Sequence, residues 1–258
     1  MMMSNWARWI TISLTAFLAS TSFALFEVNQ KSEALPLATT TTSITTGTQT
    51  NNSTKSELSL PLNTSPQQIA QSSLPYDARL IDIRSVNPKI ALDIRYATTN
   101  NFLKQKLYSA ARCVLRGAAA RRLSQVQQDL EKQGLGLKVY DCYRPLSVQK
   151  LMWKVKPDSR YVANPAQGSR HNRGAAVDIT LVDRNGKELE MPTSFDDFTE
   201  RAHRNYSGAS AQAKKNSNLL ENVMKKYGFI PLATEWWHFD APGWDNYALL
   251  DVKFGEIP

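Results

Sequence analysis

The feature that most constrains folding is a change of composition near residue 75. From about Leu25 to Leu74 the chain is poor in charge and aromatics and rich in Thr, Ser, Asn and Gln, with a dense tract from Thr39 to Thr54. Such a segment buries too little apolar surface to offset the entropy lost on ordering. Residues 25–75 therefore read as a disordered tether, with a pro-segment or simple spacer as the alternative. The globular fold is confined to residues 76–258, which is ample length for one hydrophobic core. Ahead of the tether, Arg8 precedes an apolar run from Trp9 to Ala19 and small residues ending in Ser22-Phe23-Ala24. That is the layout of a secretory signal peptide over residues 1–24. The run is shorter than the ~20 residues a bilayer span needs, and Thr11, Ser13 and Thr15 break it. Export to the periplasm, cell envelope or medium is expected, with no stable membrane span after processing.

The formal net charge is +8, and before residue 76 Arg8, Lys31 and Lys55 balance Glu27, Glu33 and Glu57. All of the excess belongs to the globular part. Its basic residues are scattered and no basic run alternates with aromatics, so a nucleic-acid partner is not expected. Two cysteines, Cys113 and Cys142, are too few for a disulfide-built scaffold and are not spaced like a zinc knuckle. In an oxidising compartment they can still pair.

The periodicities predict strands over Leu80–Val86 and Ile90–Tyr96 with a turn at Asn87-Pro88, then a helix between Ala110 and Gln133 carrying Cys113 and closed by Gly134. A strand over Leu135–Cys142 and a short helix from Pro145 to Val155 follow. Ala175–Val182 reads as a strand, turning at Asp183-Arg184-Asn185-Gly186 into a partner over Lys187–Met191. Leu219, Leu220, Val223, Met224 and Tyr227 mark a late helix ended by Gly228, and Trp236–Asp240 reads as the last strand. Helices and strands are interspersed without a regular βαβ rhythm. The fold class is α+β, a single domain with a central, mainly antiparallel sheet flanked by helices.

Three histidines occur in the chain, and two sit among other reactive residues. One segment is Ser169-Arg170-His171-Asn172-Arg173-Gly174-Ala175-Ala176-Val177-Asp178; the other is Glu235-Trp236-Trp237-His238. His203 lies among charges and reads as a surface residue. Imidazole nitrogen and carboxylate oxygen suit zinc, and a catalytic site leaves one position open, so His171, Asp178 and His238 form a candidate three-ligand set. On an ideal strand, residues an odd number apart face opposite ways, so His171 and Asp178 cannot both be regular strand positions. Gly174 offers the bend. Likewise Glu235 belongs just before its strand or on a bulge. There is no His-Glu-x-x-His helix. Arg144 stands at the mouth of the strand ending in Asp141-Cys142-Tyr143; on its own it reads as an ordinary ion pair with Asp141.

Together, Ser-x-His-x-x-Gly-x-Ala-x-Asp, Glu-x-Trp-His and Tyr-Arg-Pro resemble the D-alanyl-D-alanine dipeptidases. Further matching segments are Ile94-Arg95-Tyr96-Ala97-Thr98-Thr99-Asn100-Asn101-Phe102 and Phe195-Asp196-Asp197-Phe198-Thr199-Glu200-Arg201, and the similarity spans roughly residues 78–254. The resemblance implies one Zn2+ per chain held by His171, Asp178 and His238, with Glu235 as general base and then acid and Arg144 stabilising the oxyanion. It also implies that Asp196 binds the substrate ammonium while Ser169 and Tyr96 orient a small dipeptide. The competing readings are a D,D-carboxypeptidase or endopeptidase acting on peptidoglycan stem peptides, and a zinc-stabilised cell-wall binding module. Glu235 and Arg144 weigh against the module, since a structural zinc needs neither.

Overall fold

The computed structural model describes residues 66–258. The signal peptide expected over 1–24, and the tether as far as residue 65, lie outside the described residues. Within the stretch assigned to the tether, Pro66–Ser73 form helix α1, and the buried Gln71 carboxamide accepts a hydrogen bond from Leu80 N at 3.1 Å. A polar side chain thus satisfies a backbone donor at the start of the first strand, β1 (Leu80–Asp82).

The extended run stops at β1 because Asp82 caps a short helix, α2 (Ile83–Val86), its carboxylate accepting from Arg84 N. The second expected strand shrinks to β2 (Ala91–Leu92), followed by a 3-10 turn over Arg95–Ala97. These strands are not hairpin partners. Instead β1 pairs antiparallel with β3 (Val114–Arg116), placing Leu115 opposite Ile81. Leu115 is therefore a strand residue, and the helix expected from Ala110 starts later, as α3 (Gly117–Glu131). Helix α3 buries Ala119, Ala120, Leu123, Val126 and Leu130. A fully buried leucine such as Leu123 contributes about 1.5–3 kcal/mol. Gly134, at φ 71°, lets the chain turn into the next strand.

The remaining elements are β4 (Leu135–Asp141), α4 (Leu146–Val155), β5 (Ala176–Asp183), α5 (Ala211–Lys226), β6 (Ile230–Pro231) and β7 (His238–Asp240). They build a five-stranded sheet in the order β2-β4-β5-β7-β6, parallel only between β2 and β4. The α+β class and the mainly antiparallel sheet are as the sequence implies. The return strand over Lys187–Met191 is not formed beyond one bridge, Val182 to Glu188. The segment stays hydrogen-bonded to β5 as far as Leu189, whose N donates to the Leu181 carbonyl at 3.0 Å; at Glu190 the partners change, Asn216 on α5 donating to its carbonyl and Ser210 to its carboxylate.

Along β5, Val177, Ile179 and Leu181 are fully buried in the hydrophobic core and alternate with Asp178 and Thr180. Core and polar cluster therefore lie on opposite faces of one strand. Among the described residues, no helix is long and apolar enough to cross a membrane.

Candidate active site

Strands β5 and β7 pair with Asp178 opposite His238, and β4 pairs with β5 with Asp141 opposite Asp178. The second match depends on a register shift between Val139 and Asp141, a bulge that brings Asp141 level with Asp178. His171 arrives from a 3-10 turn, His171–Arg173, ended by Gly174 in the left-handed region at φ 67° before the strand begins at Ala176. A Cβ on Gly174 would meet the Leu80 side chain at 2.6 Å, so both conformation and space call for glycine. This bend reconciles the odd spacing of His171 and Asp178.

His171 Nε2 lies 3.2 Å from His238 Nδ1 and 3.3 Å from Asp178 Oδ1, and His238 Nδ1 lies 2.9 Å from Asp178 Oδ1. The outer ring nitrogens face acceptors: His171 Nδ1 meets the Cys142 carbonyl at 2.6 Å, and His238 Nε2 meets Asp240 Oδ1 at 2.9 Å. With each outer N–H donating outwards, both inner lone pairs point at the same place. The three donors are buried and lie within 4.8 Å of one another. Burial works against a protonated His238, yet its hydrogen bonds to Asp178 and Asp240 push its pKa up to about 10. Burial would raise Asp178, but the two imidazoles hold it below the usual carboxylate range. The cluster calls for positive charge at its centre. Two imidazoles and one carboxylate, oriented by outer contacts and open to a cleft, fit a catalytic zinc ion.

Glu235 stands in the turn ahead of β7, with Oε2 3.9 Å from His238 Nδ1. The strand begins at His238 rather than Trp236, because Trp236 N is bonded to the Ala202 carbonyl and not to a neighbouring strand. Burial pushes the Glu235 carboxyl up to about 7, opposed by nearby His238. Arg144 lies just past β4 with its guanidinium buried. Nε and Nη2 donate to Asp141 Oδ2 at 3.1 and 2.7 Å, and Nη1 donates to Gln149 Oε1 at 2.8 Å. The Arg–Asp pair read from the sequence is formed, and the same guanidinium faces the cleft.

The Tyr96 hydroxyl donates to Asp196, 3.1 Å from each carboxylate oxygen. Asp196 adopts a left-handed φ of 61°, and burial, followed by repulsion from Asp178, pushes its pKa up to about 8. Ser169 Oγ accepts from His171 N at 3.2 Å and so shapes the turn that carries the histidine. Tyr96, Arg144, Ser169, His171, Asp178, Asp196, Glu235 and His238 all line one cleft of about 310 Å³. His203 is half-buried and outside it.

Sequence reasoning misses two contacts of the site, Asp240 and the Cys142 carbonyl. Asp240 carries a signal, standing two residues beyond His238 and hence on the same strand face. The Cys142 carbonyl carries none, since any residue supplies one. Cys113 and Cys142 form a disulfide with a Cα–Cα distance of 5.2 Å. Cys113 does not lie on the long helix as expected; it immediately precedes β3, whose pairing with β1 displaces the helix start.

The family model described as D-ala-D-ala dipeptidase matches residues 76–255. A D-alanyl-D-alanine dipeptidase of Escherichia coli (strain K12) is 35% identical over 175 residues, covering 68% of this chain and 91% of that protein. One from Enterococcus faecium is 30% identical over 185 residues, covering 62% and 92%. Among solved structures, the LdcB LD-carboxypeptidase aligns at 21% identity and a TM-score of 0.39, over 73% of this chain and 81% of that one. By the extent of the family match and the identity to these relatives, the chain belongs to the D-Ala-D-Ala dipeptidase family.

Proposed function

We propose that the chain is a zinc metallopeptidase that hydrolyses the D-Ala-D-Ala dipeptide in cell-wall peptide metabolism. The observation that carries this reading is the convergence of His171, Asp178 and His238 beside Glu235 in one cleft. Its volume, about 310 Å³, is at the small end of the ~300–1,000 Å³ typical of ligand pockets and suits a dipeptide better than a polymer.

His171, Asp178 and His238 would hold the zinc, one per chain. When bound, zinc supplies Lewis acidity and makes water acidic enough to attack near neutral pH. Glu235 takes a proton on its carboxylate from the attacking water and returns it to the leaving amine nitrogen; a pKa near 7 suits both halves of that task. Arg144 holds fixed positive charge at the cleft wall, where negative charge develops on the carbonyl oxygen. Its contacts with Asp141 and Gln149 keep the guanidinium in place before substrate arrives. Asp196, steadied by Tyr96, pairs with the substrate ammonium, and Ser169 holds the turn that presents His171.

The deciding assay sets free D-Ala-D-Ala beside N-acetyl-D-Ala-D-Ala and a stem pentapeptide. The free dipeptide should be strongly preferred, because its ammonium favours the ionised form of buried Asp196 and pairs with it, whereas an acylated amine offers no charge to pair with. Equal rates on the blocked or longer peptides would select the D,D-carboxypeptidase reading instead.

We further infer that the enzyme is exported, to the periplasm, the cell envelope or the extracellular space, from the signal-peptide layout of residues 1–24. The Cys113–Cys142 disulfide supports this, since such bonds persist in oxidising compartments. Fractionation with residues 1–24 present and deleted tests it.

A further inference from the structure

A dipeptide is a zwitterion, and Asp196 answers only its ammonium. The carboxylate lies one Cα from the scissile nitrogen, so its partner must stand close to the metal ligands. Three arginines reach the cleft: Arg144, Arg160 and Arg170. Arg144 is committed through three nitrogens to Asp141 and Gln149. Arg160 is clasped by its own neighbour Asp158 through Nε and Nη2, and its side chain is 75% exposed.

Arg170 differs from both. It directly precedes His171, and its Nε is buried without a hydrogen-bond partner. The nearest anion is Asp240, with Oδ2 at 3.5 Å, and the other oxygen of that carboxylate is engaged by His238. The guanidinium carbon lies 4.5 Å from the centroid of the Trp244 ring, a cation–π contact that takes up no N–H donor. A planar cation with unused donors, fixed beside a metal-ligand turn, is suited to two parallel hydrogen bonds to a carboxylate.

We propose that Arg170 binds the free carboxylate of the dipeptide and so selects substrates that end at the residue after the scissile bond. The inference rests on the dipeptidase reading above. Asp196 and Arg170 then recognise the two charged ends of the same small molecule, and a substrate must carry both.

The test compares the zinc-loaded wild type with Arg170→Gln and Arg170→Lys on D-Ala-D-Ala and on D-alanyl-D-alaninamide, with zinc affinity measured by chelator competition. The wild type should prefer the acid. Arg170→Gln should raise KM for the acid roughly 10- to 100-fold, the scale of a charge-assisted hydrogen bond, with a much smaller change on the amide and zinc affinity kept. Arg170→Lys should recover part of the preference. Equal losses on acid and amide, or weakened zinc binding, would mean that Arg170 acts only through Asp240 and overturn the proposal. A wild type that cleaves acid and amide alike would also overturn it while leaving the dipeptidase reading intact. A wild type inert towards D-Ala-D-Ala would remove that reading and the inference together.

Discussion

Asp240 Oδ1 lies 2.9 Å from His238 Nε2, the two residues sharing one face of β7. A carboxylate in this position fixes the ring tautomer and raises the basicity of the inner nitrogen. Asp240→Ala should therefore weaken zinc binding by about 10–100-fold, and His238→Ala should abolish tight binding. Chelator competition on the purified domain reads both. Unchanged affinity in Asp240→Ala would show that the contact is incidental.

Glu235→Ala should keep zinc and lose turnover, since the carboxylate moves protons and does not hold metal. A zinc-loaded variant with the kcat of the wild type would refute the role.

Arg144→Ala should lower kcat by about 2.7–4 kcal/mol of transition-state stabilisation if it acts as an oxyanion donor. The structure adds a second cost. Asp141 is fully buried, and losing its partner should destabilise the fold by about 3–5 kcal/mol. Activity per folded molecule, measured alongside thermal unfolding, separates the two. Normal specific activity with lost stability would leave Arg144 a purely structural residue.

Asp196 has an ordinary pKa of 3.8, pushed up to about 8 in the folded protein. Between those values the folded state holds a proton that the unfolded chain has released, so stability falls as pH rises through the window. The contribution is fully present below the unfolded value and lost above the folded one. In metal-free protein, Asp196→Asn should raise Tm relative to the wild type at about pH 9 and give no such gain at about pH 4. Scanning calorimetry at the two pH values checks the sign; a variant less stable than the wild type at the higher pH would contradict it.

The Cys113–Cys142 bond joins residues 29 apart. In the chain-entropy model a loop of that length contributes about 3–4 kcal/mol. The double variant Cys113→Ser, Cys142→Ser should unfold at correspondingly lower denaturant, and an unshifted midpoint would show that the bond adds no net stability. Two free thiols in the mass spectrum of protein made in an oxidising compartment would show that it does not form there.

The local sequence determined the features that depend on near neighbours. The helical face of α3 from Ala119 to Leu130, the glycine bend between His171 and Asp178, and the position of Glu235 ahead of its strand all follow from side-chain period and backbone freedom within a few residues. Strand partners depend on residues far apart in the chain, and there local pattern is insufficient. Only the tertiary structure decided that β1 joins β3, that Leu115 is strand and not helix, and that Cys113 therefore meets Cys142 from a strand end. The outer contacts of the site are of the same kind. The backbone carbonyl at Cys142 carries no mark in the sequence, and the carboxylate at Asp240 carries only its place two residues beyond His238 on the same strand face, which does not by itself pair it with a ring nitrogen. Sheet register and the bulge at Tyr140 put them within hydrogen-bond reach of His171 and His238, and that reach is what orients both rings.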